Sequence, residues 1–175
     1  MKKIFSTITL ALALIGSAFA QTSYNSSRFS ADFNGSVNIN YLGTNPAGTG
    51  STMEYESNTN GVMEVVAVRS IVNGKVIPVT QEAAQFYANQ DATGAGNTVV
   101  SRTSKDVNGN DQTTYQGHPF AYICVSYVEG GVIFYKRTRY IIVDEHTTFF
   151  VVMISTKEKS DLDEWTRFEY SLNIK

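Results

Sequence analysis

Three apolar runs rich in β-branched and aromatic residues occupy the C-terminal part of the chain: Phe120 to Val128, Val132 to Val143 and Thr147 to Ile154. They are broken only at Glu129-Gly130-Gly131 and at Asp144-Glu145-His146. Gly130-Gly131 can take the positive φ angles of a tight hairpin, and the Asp-Glu-His junction is short and polar, so the pattern predicts an antiparallel three-strand meander. The last run is apolar on both faces, with Phe149, Val151 and Met153 pointing one way and Phe150, Val152 and Ile154 the other. Such a strand needs cover on two sides, which places it inside a sheet rather than at its border.

The same reading extends toward the N-terminus. Phe29 to Phe33 alternates and, after Asn34-Gly35, continues through Val37, Ile39 and Tyr41 as a bent strand or hairpin. Thr52 to Ser57 and Val62 to Ile71 are strands separated by the Asn58-Thr59-Asn60-Gly61 turn signal. Thr80 suits a helix N-cap for Gln81 to about Gln90, with Glu82 in the favourable first turn and Ala83, Ala84, Phe86 and Tyr87 as the packing stripe. Asn97 to Ser104 and Gln112 to Gln116 read as two further strands with Asn108-Gly109 as their hairpin turn. A closing helix follows, with Ser160 as N-cap, Asp161, Asp163 and Glu164 at its positive end and Leu162, Trp165 and Phe168 facing inward. Strands, a helix, many strands and a helix make an α+β domain, a mostly antiparallel β-sheet covered by helices on both faces.

Residues 1–20 stand apart from this pattern. Lys2 and Lys3 precede an apolar run from Ile4 to Ile15, and Ala18-Phe19-Ala20 is a small-residue cleavage site before Gln21, the signature of a secretory signal peptide. The apolar run is shorter than the roughly 20 residues a membrane span needs, and no cysteine follows Ala20 to carry a lipid anchor. The expected organisation is a signal peptide over 1–20, a flexible polar lead over 21–28 and a single domain over 29–175, in a periplasmic or extracellular protein with no membrane span after cleavage. The mature chain then holds 12 basic against 16 acidic residues. That balance argues against nucleic acid and anionic membrane surfaces, both of which reward a basic patch. Cys124 is the only cysteine, so no internal disulfide forms and stability rests on packing, as suits a bacterial exported chain.

Candidate chemistry is sparse. If Glu129 to Val132 sets the hairpin register, His118 and Cys124 lie six residues apart on one strand, roughly 20 Å, far beyond hydrogen-bond reach for a nucleophile and its base. The same register sets Arg137 opposite Cys124 and Tyr122 opposite Arg139. His118 and His146, with Asp144 and Glu145 nearby, are the remaining metal candidates, yet they lack a ligand motif, so no metal and no cofactor is expected. Gly43 to Thr49 lacks the lysine of a phosphate loop, and Asp106, Asn108 and Asn110 copy a calcium loop only in part, because position 12 is Gly117. Lys136-Arg137-Arg139 is a basic cluster that strand alternation divides between two faces. What remains is the aromatic load, ten Tyr and ten Phe. Tyr122, Arg137, Arg139 and Tyr140 are the candidate binding residues, on a partly exposed Tyr/Arg sheet face.

Several phrases recur in an order that resembles a known family. They are Phe29-Ser-Ala-Asp-Phe33-Asn-Gly, Thr52 to Glu56 before an alternating strand, Gly117-His-Pro-Phe-Ala121 ahead of a long hairpin, the Tyr140 to Ile154 strand pair, and Trp165-Thr-Arg-Phe168-Glu-Tyr-Ser-Leu172. Together they resemble the PsbP/Mog1-like superfamily and its small exported bacterial members, over nearly the whole mature chain. Asn34 stands where those proteins often carry proline, and Ser171-Leu172 where a Ser-Phe pair is frequent. The resemblance implies an α-β-α sandwich and a non-enzymatic binding or accessory role; the partners of plant or Mog1-type members are not implied. The expectation is a non-catalytic binding or accessory protein of the bacterial cell envelope, partnered by another envelope protein or a small ligand. The alternative is a small-molecule or lipid binder with a pocket between sheet and helix.

Overall fold

The computed structural model describes residues 21–44, 50–71, 76–103, 112–156 and 162–175. The leader, most of the glycine-rich loop after Gly43, the Asp106/Asn108/Asn110 pattern with its Asn108-Gly109 turn, and the Ser160 cap lie outside the described residues. The strands are β1 (Gln21–Asn25), β2 (Phe29–Asn34), β3 (Asn38–Thr44), β4 (Gly50–Thr59), β5 (Val62–Ile71), β6 (Thr98–Ser101), β7 (Thr114–Tyr115), β8 (His118–Glu129), β9 (Val132–Asp144), β10 (Thr147–Ser155) and β11 (Asn173–Ile174). The helices are α1 (Gln81–Ala92) and α2 (Leu162–Ser171). They build an α+β fold around one large antiparallel sheet of order β3-β4-β5-β10-β9-β8-β6, with β7 paired to the start of β8; a second sheet has the order β1-β2-β11.

The meander forms as the sequence predicts. Gly130 and Gly131 sit at φ of 57° and 80°, which closes a two-residue hairpin of the primed kind and sets Cys124 opposite Arg137 and Tyr122 opposite Arg139. Asn60 and Gly61 do the same between β4 and β5, at φ of 53° and 77°. β10 lies between β5 and β9, inside the sheet.

Four expectations change. The polar lead is not loose: residues 21–25 form β1, because Tyr24 packs on Phe29, Phe33 and Tyr55 while Ser23 donates a 2.6 Å hydrogen bond to Asp32. β2 and β3 make neither one bent strand nor a hairpin; the chain changes sheets after Asn34, through Gly35 at φ 112°. β6 and β7 do not pair with each other, since each pairs with a different part of β8. The cover is also more mixed than a plain helical sandwich. One face of the large sheet takes Phe120, Tyr122, Cys124, Ile141, Phe149, Val151 and Met153 into a core with Phe29 and Phe33 of the small sheet and Trp165 and Phe168 of α2. The opposite face takes α1, whose Ala84 and Ala88 close on Ala121, Ile123, Val125, Tyr140 and Ile142.

That second cover is incomplete. α1 packs on β8 and β9, and a single helix is about 10 Å wide, whereas neighbouring strands are about 4.8 Å apart. Beyond β9 the face is less fully covered: in β10 Phe149, Val151 and Met153 are buried while Phe150, Val152 and Ile154 are only half-buried, although Val65 and Ala67 of β5 on that face are 6% and 8% exposed. The expectation that β10 is covered twice is met on the α2 side and missed on the α1 side.

Candidate functional site

The predicted Tyr/Arg face does not reach the surface as one face. Tyr122, Arg137 and Arg139 point into the α2-side core, where Arg139 is 0% exposed and Arg137 3%. Tyr140, one residue out of phase with Arg139, lies on the α1 side. The reason is cover that β9 alone does not reveal: α2 carries Trp165, which packs tilted on Tyr122 at 5.9 Å, and Glu169, which forms an ion pair with Arg139. The Arg139 guanidinium also lies 4.6 Å above the Tyr115 ring and 4.5 Å above the Phe120 ring, and donates to Gln112 Oε1 at 3.1 Å. Tyr115 Oη is 2.6 Å from the Glu169 carbonyl oxygen, so the same cluster holds the C-terminal end of α2. Burial lowers the Arg139 pKa and raises that of Glu169; it also raises Tyr115 and Tyr122. These phenols therefore stay protonated, and Tyr115 donates to the backbone carbonyls at the end of α2.

A second ion pair of opposite polarity joins α2 to the large sheet two residues away. Arg167 of α2 meets Glu64 of β5, which is 0% exposed and also accepts from the Asn34 backbone N–H at 2.6 Å. Arg167 donates further to the Asp32 carbonyl at 2.9 Å and to Glu164 at 3.0 Å. Phe168 lies between these two ties, against Phe33. The α2 side is thus a closed, cross-braced core.

Cys124 is part of that core, 3% exposed. His118 is half-buried at the start of β8, and His146 is exposed in the turn after β9. Among the described residues no group of three or more His, Cys, Asp or Glu side chains converges to hold a metal ion.

The α1 side offers the open geometry. Across β4, β5, β10 and β9 the register sets Glu54, Ala67, Phe150 and Tyr140 in one row, Glu56, Val65, Val152 and Thr138 in the next, and Asn58, Met63, Ile154 and Lys136 in a third. The two middle columns are wholly apolar; Val65 and Ala67 are buried, Met63, Phe150, Val152 and Ile154 are half-buried, and together they form the floor of a shallow trough that opens beside α1 at Phe150 and Val152. Its inner wall is a polar hub: Asp91, in the last turn of α1, accepts from Lys136 Nζ at 2.8 Å, Thr138 Oγ1 at 3.3 Å and Tyr140 Oη at 2.5 Å. Burial and the adjoining Asp91 both push the Tyr140 pKa up, so the phenol holds its proton and is not poised as a base. Its outer wall is Glu54 and Glu56, neither of which has an ion-pair partner among the described residues.

Two open grooves run along the flank of α1 and share Tyr87. One, of about 370 Å³, includes Arg69, Asp91, Lys136, Thr138, Phe150 and Val152. The other, of about 390 Å³, includes Val76, Ile77, Ala83 and Phe86. Tyr87 stacks on Tyr140 at 5.9 Å and meets Phe150 edge-on at 5.7 Å, which fixes the shared wall.

Of the four predicted binding residues, Tyr140 borders the trough; Asp91, Glu54 and Glu56, which border it too, were not singled out from the sequence. One signal was present. A carboxylate in the last turn of a helix opposes the helix dipole and needs a compensating cation, which Lys136 supplies.

No family model matches the chain, and no curated protein matches it. Among solved structures, LpqN of Mycobacterium tuberculosis, described as involved in cell envelope biogenesis, aligns at 9% identity over 94% of this chain and 96% of its own, with a TM-score of 0.47. PA94 of Pseudomonas aeruginosa, a protein of unknown function, aligns at 12% identity over 83% and 88%, with a TM-score of 0.40. At these scores the likenesses carry no argument about family or role. Among the described residues, no helix is long and apolar enough to cross a membrane.

Proposed function

We propose that this chain is an exported, non-catalytic binding or accessory protein of the bacterial cell envelope, and that it binds through the trough beside α1. The observation that carries the reading is the inequality of the two sheet faces. One is sealed by a second sheet, a helix and two ion pairs; the other leaves Met63, Phe150, Val152 and Ile154 half-buried beside an aromatic and polar wall. Export follows from the basic start, apolar run and Ala-Phe-Ala site at the N-terminus. The resemblance to the PsbP/Mog1-like superfamily, with its binding and accessory members, supports the same role and rests on the sequence phrases alone.

A small-molecule or lipid pocket between sheet and helix is the second reading, favoured by groove volumes within the range of about 300 to 1,000 Å³ typical of ligand sites. Both grooves are open along their length, however, whereas small ligands are held in sites that bury most of their surface. An open seat suits a macromolecular partner better.

The test is site-specific photocrosslinking in the exporting cell. A photoreactive residue at Val152 is expected to give a discrete protein adduct, and one at the exposed hairpin residue Glu129 is not. No adduct from position 152, or the same adducts from both positions, would overturn the reading.

A further inference from the structure

The trough has the dimensions of a missing helix. α1 sits over β8 and β9, and the trough floor is β10 and β5. The centre of one strand pair is two strand spacings from the centre of the other, about 10 Å. Helices packed side by side in one layer have axes about 8 to 10 Å apart. A helix laid in the trough would therefore touch the Tyr87 side of α1 and the apolar floor together. Val65 and Ala67 are already buried among their neighbours, so such a helix would rest on Met63, Phe150, Val152 and Ile154, the half-buried side chains of the two strands.

The charges around the trough select the helix. Lys136 is neutralised by Asp91. Glu54 and Glu56 line the outer wall with no ion-pair partner among the described residues, Glu82 stands in the adjoining groove, and Arg69 is the cation that opposes them among those residues. Among the described residues the rim is net acidic, which repels anionic lipid headgroups and attracts basic side chains.

From spacing and charge together we infer that the trough docks an amphipathic helix of a partner protein, its apolar stripe on β5 and β10 and a basic flank toward Glu54 and Glu56. This deepens the binding role proposed above and rests on it.

The experiment uses two synthetic helical peptides with the same Leu/Ala apolar stripe, one flanked by Lys and one by Glu, together with vesicles of anionic phospholipid. Binding to the mature chain is followed by titration calorimetry and by methyl NMR. The Lys-flanked peptide is expected to shift the Val65, Val152 and Ile154 methyl signals and to bind about tenfold tighter than the Glu-flanked one. The preference is expected to vanish in the doubly substituted E54Q/E56Q chain, whose half-buried carboxylates lie outside both apolar core clusters, so that the isosteric amides leave the core in place. It should also weaken with added salt. Equal affinity for the two peptides, shifts confined to the Val128–Val132 hairpin tip, binding of vesicles but not of the Lys-flanked peptide, or no peptide binding at all would each overturn the inference. An adduct from Val152 in cells alongside failure here removes the helix and keeps the binding role; absence of that adduct removes the role itself.

Discussion

At the scale of single residues, the α2-side ion pairs make the sharpest prediction. Glu169 and Arg139 are both removed from water, and burial drives their pKa values toward the neutral forms. Deleting the carboxylate strands the guanidinium in the core, so Glu169→Ala is expected to cost about 3 kcal/mol in urea unfolding. Glu169→Gln keeps an acceptor and should cost less than half of that. Glu64 and Glu169 both have folded-state pKa values raised by burial above the ordinary 4.5. Between the unfolded and folded values the native state binds more protons than the unfolded state, so these two groups make stability fall as pH rises above about 4.5. Replacing both with Gln should flatten that slope in a series of melts. Cys124, packed opposite Arg137, is expected to react with iodoacetamide only as fast as the core opens; labelling at the rate of a free thiol in the native protein would contradict its placement.

At the scale of elements, local sequence chemistry decided what was legible. The β8–β9 register followed from Gly130-Gly131, because two successive positive φ angles fix a two-residue turn and the turn fixes every pair behind it. Gly131→Ala is accordingly expected to lower stability by about 1 kcal/mol. The start of α1 was equally readable: Thr80 accepts from the Ala83 N–H at 3.3 Å, and Thr80→Ala should cost about 1 kcal/mol in the same assay. β1 was not readable. Gln-Thr-Ser-Tyr-Asn has one apolar anchor, and its order comes from Tyr24 meeting residues up to 31 positions away. Arg137 and Arg139 were placed on the right face but in the wrong medium, because the acid that draws Arg139 inward, Glu169, belongs to a helix whose docking no strand pattern encodes.

For the whole molecule, the central position of β10 was visible in its doubly apolar sequence, yet the inequality of its faces was not. Phe149-Val151-Met153 and Phe150-Val152-Ile154 are chemically alike, and only the amount of cover distinguishes them. A hint lay in proportion: α1, at 12 residues, is one helix wide against a seven-strand path. The binding role rests on this asymmetry, and two methionines report it. Met63 lies on the α1 side beside Ile154 and is half-buried, whereas Met153 lies on the α2 side beside Glu64 and is 0% exposed. Brief treatment of the native protein with hydrogen peroxide, followed by peptide mapping of methionine sulfoxide, measures both faces in one sample. The account predicts prompt oxidation of Met63 and protection of Met153 until the protein unfolds; equal oxidation of the two, or protection of Met63, would contradict it.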